Sequence, residues 1–213
     1  PMPFEDPQSG LWGYRSSQHI AIAASCHIAG DFNQYGIAAV AADEGWQYID
    51  TNGNVVLIPF VYDNAPDVFV ENLARYVESD KIGFCDERGQ RLIAARYDFA
   101  RPFSQGLAAV CTGCTRQYDG EHYSYVGGRW GYIDYLGDEG IPLRFEAAES
   151  FAAGRARVYL DHTWIALALP DTLPQWQTLQ GFLPKLVMSH PLLDAAPFET
   201  AYGQFYLDVG EEA

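Results

Sequence analysis

Residues 129–158 read RWGYIDYLGDEGIPLRFEAAESFAAGRARV, and residues 81–110 read KIGFCDERGQRLIAARYDFARPFSQGLAAV. Aligned from Trp130 and Ile82, the two segments match in residue type without a gap. Tyr132, Asp134, Gly137, Ile141 and Phe145 stand opposite Phe84, Asp86, Gly89, Ile93 and Tyr97. Phe151, Gly154, Ala156 and Val158 stand opposite Phe103, Gly106, Ala108 and Val110. Residues 45–77, GWQYIDTNGNVVLIPFVYDNAPDVFVENLARYV, follow the same order with one extra residue before Pro59 and one before Leu73. Residues 11–40, LWGYRSSQHIAIAASCHIAGDFNQYGIAAV, keep the two ends of the pattern, Trp12-Gly13-Tyr14 and Gly36 to Val40. A period in the mid-thirties marks a repeat architecture, which builds extended surfaces by stacking small units.

Within a unit, Trp-Gly-Tyr-Ile-Asp alternates large apolar with small or polar residues, the period of a half-buried strand. A tight turn follows at Gly53, Gly89 or Gly137, where glycine takes positive φ without steric penalty. A second apolar run ends near Pro59 or Pro142, and proline lacks the N–H that a central strand donates. A loop then carries Phe69, Phe103 or Phe151, and a Gly-Leu-Ala-Ala-Val strand closes the unit. These signals predict three or four short antiparallel strands per unit. No helical period or capping box occurs before residue 170. The repeated Asp50, Asp86 and Asp134 have the residue type of metal ligands or catalytic acids. An aspartate just before a tight turn more simply accepts hydrogen bonds from the turn's own N–H groups. The repeated Trp and Tyr residues likewise read as core between stacked units, not as a ligand box. Trp12, Trp46 and Trp130 are thus expected to be largely buried.

The Trp-Gly pairs at Trp12-Gly13 and Trp130-Gly131, with the Tyr-Ile-Asp, Ile-Pro, Tyr-Asp and Gly-Leu-Ala segments, make residues 11 to about 164 resemble the WG repeat family. The resemblance implies an all-β fold of four tandem units of about 11–43, 44–80, 81–128 and 129–164, in a solenoid or propeller-like stack. It also implies a bacterial setting and supplies no catalytic residues. The chain departs from the family pattern at Trp46-Gln47, at Ile82-Gly83, and at Ser16, where an aspartate is expected.

The formal net charge is −15, from 28 acidic and 13 basic residues. Such a surface repels phosphate backbones and anionic membranes, and it favours a basic protein partner. No apolar run has membrane-spanning length and no signal peptide is visible. Two of the four cysteines, Cys26 and Cys85, fall at core-like positions. That pattern suits a reducing cytoplasm better than a disulfide framework.

One departure from the period stands out. Nineteen residues separate Val110 from Trp130, where four or five separate the equivalent positions elsewhere. This insert, residues 111–128, is expected to project as a hairpin or flap, and exposed loops on rigid scaffolds are where function concentrates. It contains Cys111-Thr112-Gly113-Cys114. Two thiolates at this spacing can grip zinc, with His122 as a third ligand. The same pair also fits a redox dithiol or an inert disulfide. The aromatic character of Tyr118, Tyr123 and Tyr125, with His122, makes these four residues candidates for contacting a partner.

After Trp164 the repeat fades. Asp171-Thr172-Leu173-Pro174 reads as a helix N-cap, and Leu173, Trp176, Leu179, Phe182, Leu183 and Leu186 recur at helical spacing. Residues 1–169 are therefore read as the repeat domain. Residues 170–213 are read as a helical and loop cap over an apolar end. No HExxH, GxSxG, Walker-type or GxGxxG motif occurs. The functional expectation is a non-enzymatic protein-interaction module with no catalytic residues and no cofactor. The alternative is a zinc- or ligand-binding domain using the insert. A hydrolase or redox enzyme comes third.

Overall fold

The computed structural model of the protein describes residues 1–168, except Gln18, Asp63 and Glu121, together with residues 198–200 and 203–205. Its elements are all strands. In order they are β1 (Met2–Glu5), β2 (Trp12–Arg15), β3 (Ile20–Cys26), β4 (Ile28–Ala29), β5 (Ala38–Ala42), β6 (Gly45–Ile49) and β7 (Val55–Pro59). Then come β8 (Val61–Tyr62), β9 (Ala65–Pro66), β10 (Leu73–Glu78), β11 (Lys81–Asp86), β12 (Arg91–Tyr97) and β13 (Phe99–Ala100). They continue with β14 (Ala108–Asp119), β15 (His122–Ile133), β16 (Glu139–Phe145), β17 (Ala147–Ala148), β18 (Arg155–Leu160), β19 (Thr163–Ala168), β20 (Phe198–Thr200) and β21 (Gly203–Phe205). Among the described residues there is no helix, and so none long and apolar enough to cross a membrane. The helical cap expected over 170–213 lies outside the described residues; what is described there is the hairpin β20–β21.

The chain forms two compact units, Pro1–Arg96 and Tyr97–Ala213. The first holds the sheet β1-β2-β3 and the sheet β4-β5-β6-β7-β10-β11-β12, whose last residue, Tyr97, opens the second unit. The second holds β13-β14-β15-β16 and β17-β18-β19. Among the described residues each sheet is an open antiparallel ladder, and none closes into a barrel. Within both units the sheets straddle the sequence repeats. The strand that ends one repeat (β5, β10, β14 or β18) hairpins into the strand that begins the next (β6, β11, β15 or β19).

Local chemistry explains the recurring shape. Asp50 Oδ1 accepts from the N–H groups of Asn52 and Asn54 at 2.8 and 2.9 Å. Asp86 does the same for Arg88 and Gln90, and Asp134 for Leu136 and Asp138, all within 2.8–2.9 Å. The glycine of each turn has positive φ: +85° at Gly53, +73° at Gly89 and +80° at Gly137. The repeated aspartates are thus turn residues, as their positions predict.

The Trp-Gly glycine has a different reason. A Cβ at Gly13, Gly83 or Gly131 would lie 2.5–2.6 Å from the carbonyl oxygen of Ile22, Ile93 or Ile141 on the neighbouring strand. At Gly13 and Gly131 the ladder shifts register, so two backbones meet where only glycine fits. The tyrosine after it anchors the next loop. The hydroxyls of Tyr14 and Tyr132 donate to the carbonyls of Gly30 and Glu149 at 2.8 and 2.7 Å. Tyr132 is fully buried, a burial that stabilises by roughly 2–3 kcal/mol.

The core of the second unit gathers Trp130, Tyr132, Ile141, Phe145, Phe151 and Leu167. In the first unit, Ile37, Tyr48, Leu57 and Tyr76 form one cluster, and Tyr14, Val40 and Ile49 another. The expectation for the tryptophans holds only for Trp130, which is 3 % exposed. Trp12 and Trp46 are half-buried. Trp46 instead donates from Nε1 to the Asn64 carbonyl at 2.9 Å, which fixes its edge and leaves part of its face to solvent.

Candidate functional site: a two-stranded arm

The insert extends the β14–β15 hairpin. Each of these strands has twelve residues, where the equivalent pairs β5–β6, β10–β11 and β18–β19 have five or six. β13 pairs with β14 at Val110 and Cys111, and β16 pairs with β15 between Trp130 and Ile133. Beyond these rungs the two strands pair with each other at seven further positions, from Thr112↔Arg129 to Asp119↔His122. Among the described residues no third strand covers either edge. The chain reverses after Asp119, with Gly120 at φ +62°.

The arm leaves the sheet through a kink. Gly113 and Gly128 have no ladder partner, and Gly113, Gly127 and Gly128 all have positive φ. A Cβ at Gly128 would collide with the Cys114 nitrogen and the Thr112 oxygen. Asp98 pins this point by accepting from the Gly113 N–H at 2.6 Å. A disulfide between Cys111 and Cys114 spans it, with Cα atoms 6.1 Å apart and both residues buried. Of the readings open to this Cys-x-x-Cys pair, the structure has the disulfide. Cys26 and Cys85 are free and buried, and burial pushes the Cys85 thiol up to about 12.

The metal trio is not brought together. His122 pairs with Asp119 at the tip, five rungs beyond Cys114, which is about 17 Å of strand at the usual rise. No group of three His, Cys, Asp or Glu residues among the described residues could hold a metal ion.

Of the four partner candidates the three tyrosines are brought together, around a residue the sequence reading missed, while His122 pairs with Asp119 at the tip. Strand alternation places Arg116, Tyr118, Tyr123 and Tyr125 on one face. Arg116 donates from Nη2 to the Tyr125 hydroxyl at 2.8 Å and from Nη1 to the Tyr118 hydroxyl at 3.4 Å. Its guanidinium lies 4.5 Å from the centre of the Tyr123 ring. Hydrogen bonds donated to Tyr118, then to Tyr125, raise the pKa of Arg116 above its ordinary value. Tyr125 stacks on Phe99 with centroids 4.0 Å apart, which roots the face in the sheet below. Tyr118 is 65 % exposed and Tyr123 37 %. Cross-strand alternation was the signal for Arg116: it is two residues from Tyr118 and directly opposite Tyr125. The opposite face carries Thr115, Gln117, Ser124 and Val126. From Thr112 to Arg129 the arm has two arginines and two acids, so its formal charge is zero on a chain of −15.

The family model described as "WG containing repeat" matches residues 48–81, 82–113 and 130–164. The matches break off at 113 and resume at 130, so the free part of the arm is an addition to the repeat pattern. Comparison with curated proteins and with solved structures found no match.

Proposed function

The chain belongs to the WG repeat family, and from that premise we propose that it is a non-enzymatic protein-interaction module whose hairpin arm docks a protein partner. The observation that carries this reading is the arm's face of Arg116, Tyr118, Tyr123 and Tyr125, raised on two strands with uncovered edges. Tyrosine and arginine are the residue types most enriched where binding energy concentrates. The rings are already oriented by Arg116 and Phe99, so little side-chain entropy is lost on docking. The uncovered edges offer N–H and C=O groups that an extended segment of a partner can pair with. The acidic body steers basic proteins toward the molecule, while the neutral arm adds no repulsion of its own.

A photo-crosslinking residue at Gln117 tests this in lysate of the source organism. The expected result is one discrete adduct. Its repurified partner should bind the wild type, and the Tyr118→Ala, Tyr123→Ala double variant should bind at least about tenfold more weakly with unchanged melting. Equal affinity of wild type and double variant would overturn the proposal. The metal- or ligand-binding alternative is tested on the same preparation. Near-stoichiometric zinc that vanishes in a Cys111→Ser, Cys114→Ser double variant would displace the docking role.

A further inference from the structure

The first compact unit has a cleft of about 610 Å³ that neither the arm nor the repeat pattern explains. Its wall is aromatic: Trp46, Tyr48 and Phe69, with Tyr48 and Phe69 stacked at 6.1 Å between centroids. Its volume is that of a ligand site. Its charges are one-sided. The lining includes Asp67 and Glu87 and no lysine, arginine or histidine.

The two acids differ. Asp67 is buried and committed, accepting from Arg75 Nε at 2.7 Å and from Arg75 Nη2 at 2.8 Å. The Glu87 carboxylate has no cation or hydrogen-bond donor among the described residues, although its backbone carbonyl accepts from Asn33 Nδ2 at 2.7 Å. The cleft therefore holds one uncommitted negative charge beside three rings.

The chain itself shows what such rings take elsewhere. Arg15, Arg75, Arg88, Arg91, Arg101, Arg116 and Arg157 each place a guanidinium over an aromatic ring, at 4.2–6.0 Å from a centroid. Ring after ring in this protein is thus covered by an arginine. No guanidinium covers Trp46, Tyr48 or Phe69 among the described residues. The guanidinium is weakly hydrated and flat, so it gives up water to lie on a ring more readily than an ammonium does.

We propose that this cleft receives an arginine side chain from a basic protein partner, with the guanidinium on the aromatic wall and its charge met by Glu87. The proposal rests on the interaction-module reading and adds a second contact, in the unit that does not carry the arm. The probe acts on the isolated protein, so its failure leaves the arm's docking role standing.

The test is a titration of the full chain with N-acetyl-arginine amide, followed through the Trp46 indole N–H and neighbouring amide signals in 15N-correlated NMR spectra. The matched probe N-acetyl-citrulline amide has nearly the same shape without the charge. The expected result is a saturable shift with arginine and binding of citrulline at least about fivefold weaker. Glu87→Gln should weaken the arginine probe several-fold without lowering the melting temperature, because the carboxylate has no internal partner. Phe69→Leu, which keeps the wall apolar and removes a ring, should also weaken it. Equal binding of the two probes, or shifts that do not saturate, would overturn the proposal. So would unaltered arginine binding in both variants.

Discussion

Single residues carry the regularity of this fold, and they do so through backbone space and local hydrogen bonds. Gly131 faces the Ile141 carbonyl at a distance no Cβ tolerates, so Gly131→Ala should cost about 1–3 kcal/mol in urea unfolding. Gly89→Ala adds a positive φ to a clash with Val56 and should cost about 1 kcal/mol or more. The turn aspartates make a second prediction. Hydrogen bonds from Asn54, its side chain foremost, hold the Asp50 carboxyl below its ordinary value of 3.8. A depressed folded pKa contributes stability that is present above the unfolded value and lost as pH falls through the folded one. Melting should thus fall as pH drops below about 4, and Asp50→Asn should remove part of that slope. The turn role of Asp50, Asp86 and Asp134 was legible from the sequence, since an aspartate three residues before a glycine has few other uses. The role of Gly13, Gly83 and Gly131 was not. Nothing in one strand announces how close its neighbour's carbonyl will come.

The strands repeat because these residues repeat, and the arm is where an element outgrows the pattern. Among the described residues no strand pairs with its last rungs. Replacing Tyr118–Tyr123 with Asn-Gly closes the hairpin two rungs earlier, at Gln117↔Ser124, and keeps each residue on its face. Melting should then shift by no more than about 2–4 °C, while crosslinking to the partner is lost. A larger drop would mean the tip supports the fold. The hairpin itself was legible from the nineteen residues between Val110 and Trp130. Arg116 was not singled out, because its importance lies across the ladder in Tyr125. Nor does spacing along the chain show separation in space: Cys114 and His122 lie eight residues apart, and strand rise carries His122 to the tip of the arm.

For the whole molecule, covalent chemistry gives a direct check. Unfolded without reductant, the protein should titrate as two thiols, Cys26 and Cys85, and with reductant as four. Bridging residues three apart closes a very short loop, so reduction should cost only about 2 kcal/mol. The all-β character was legible throughout residues 11–164, but the way sheets take strands from successive repeats was not, because pairing between repeats leaves no mark in either one. That arrangement also determines how the first unit comes apart. Every ladder but one joins strands that follow one another along the chain, so most closures span few residues and form early. The exception is β7 with β10, which pair at two positions, Tyr76↔Pro59 and Val77↔Ile58, with one more bond from the Phe60 N–H to the Arg75 carbonyl, across the β8–β9 hairpin. Pro59 brings no N–H to that joint. Under load or in mild denaturant it is the seam that parts first. Amide exchange should therefore resolve β4–β7 and β10–β12 as two separately opening blocks, even though hydrogen bonds make them a single sheet.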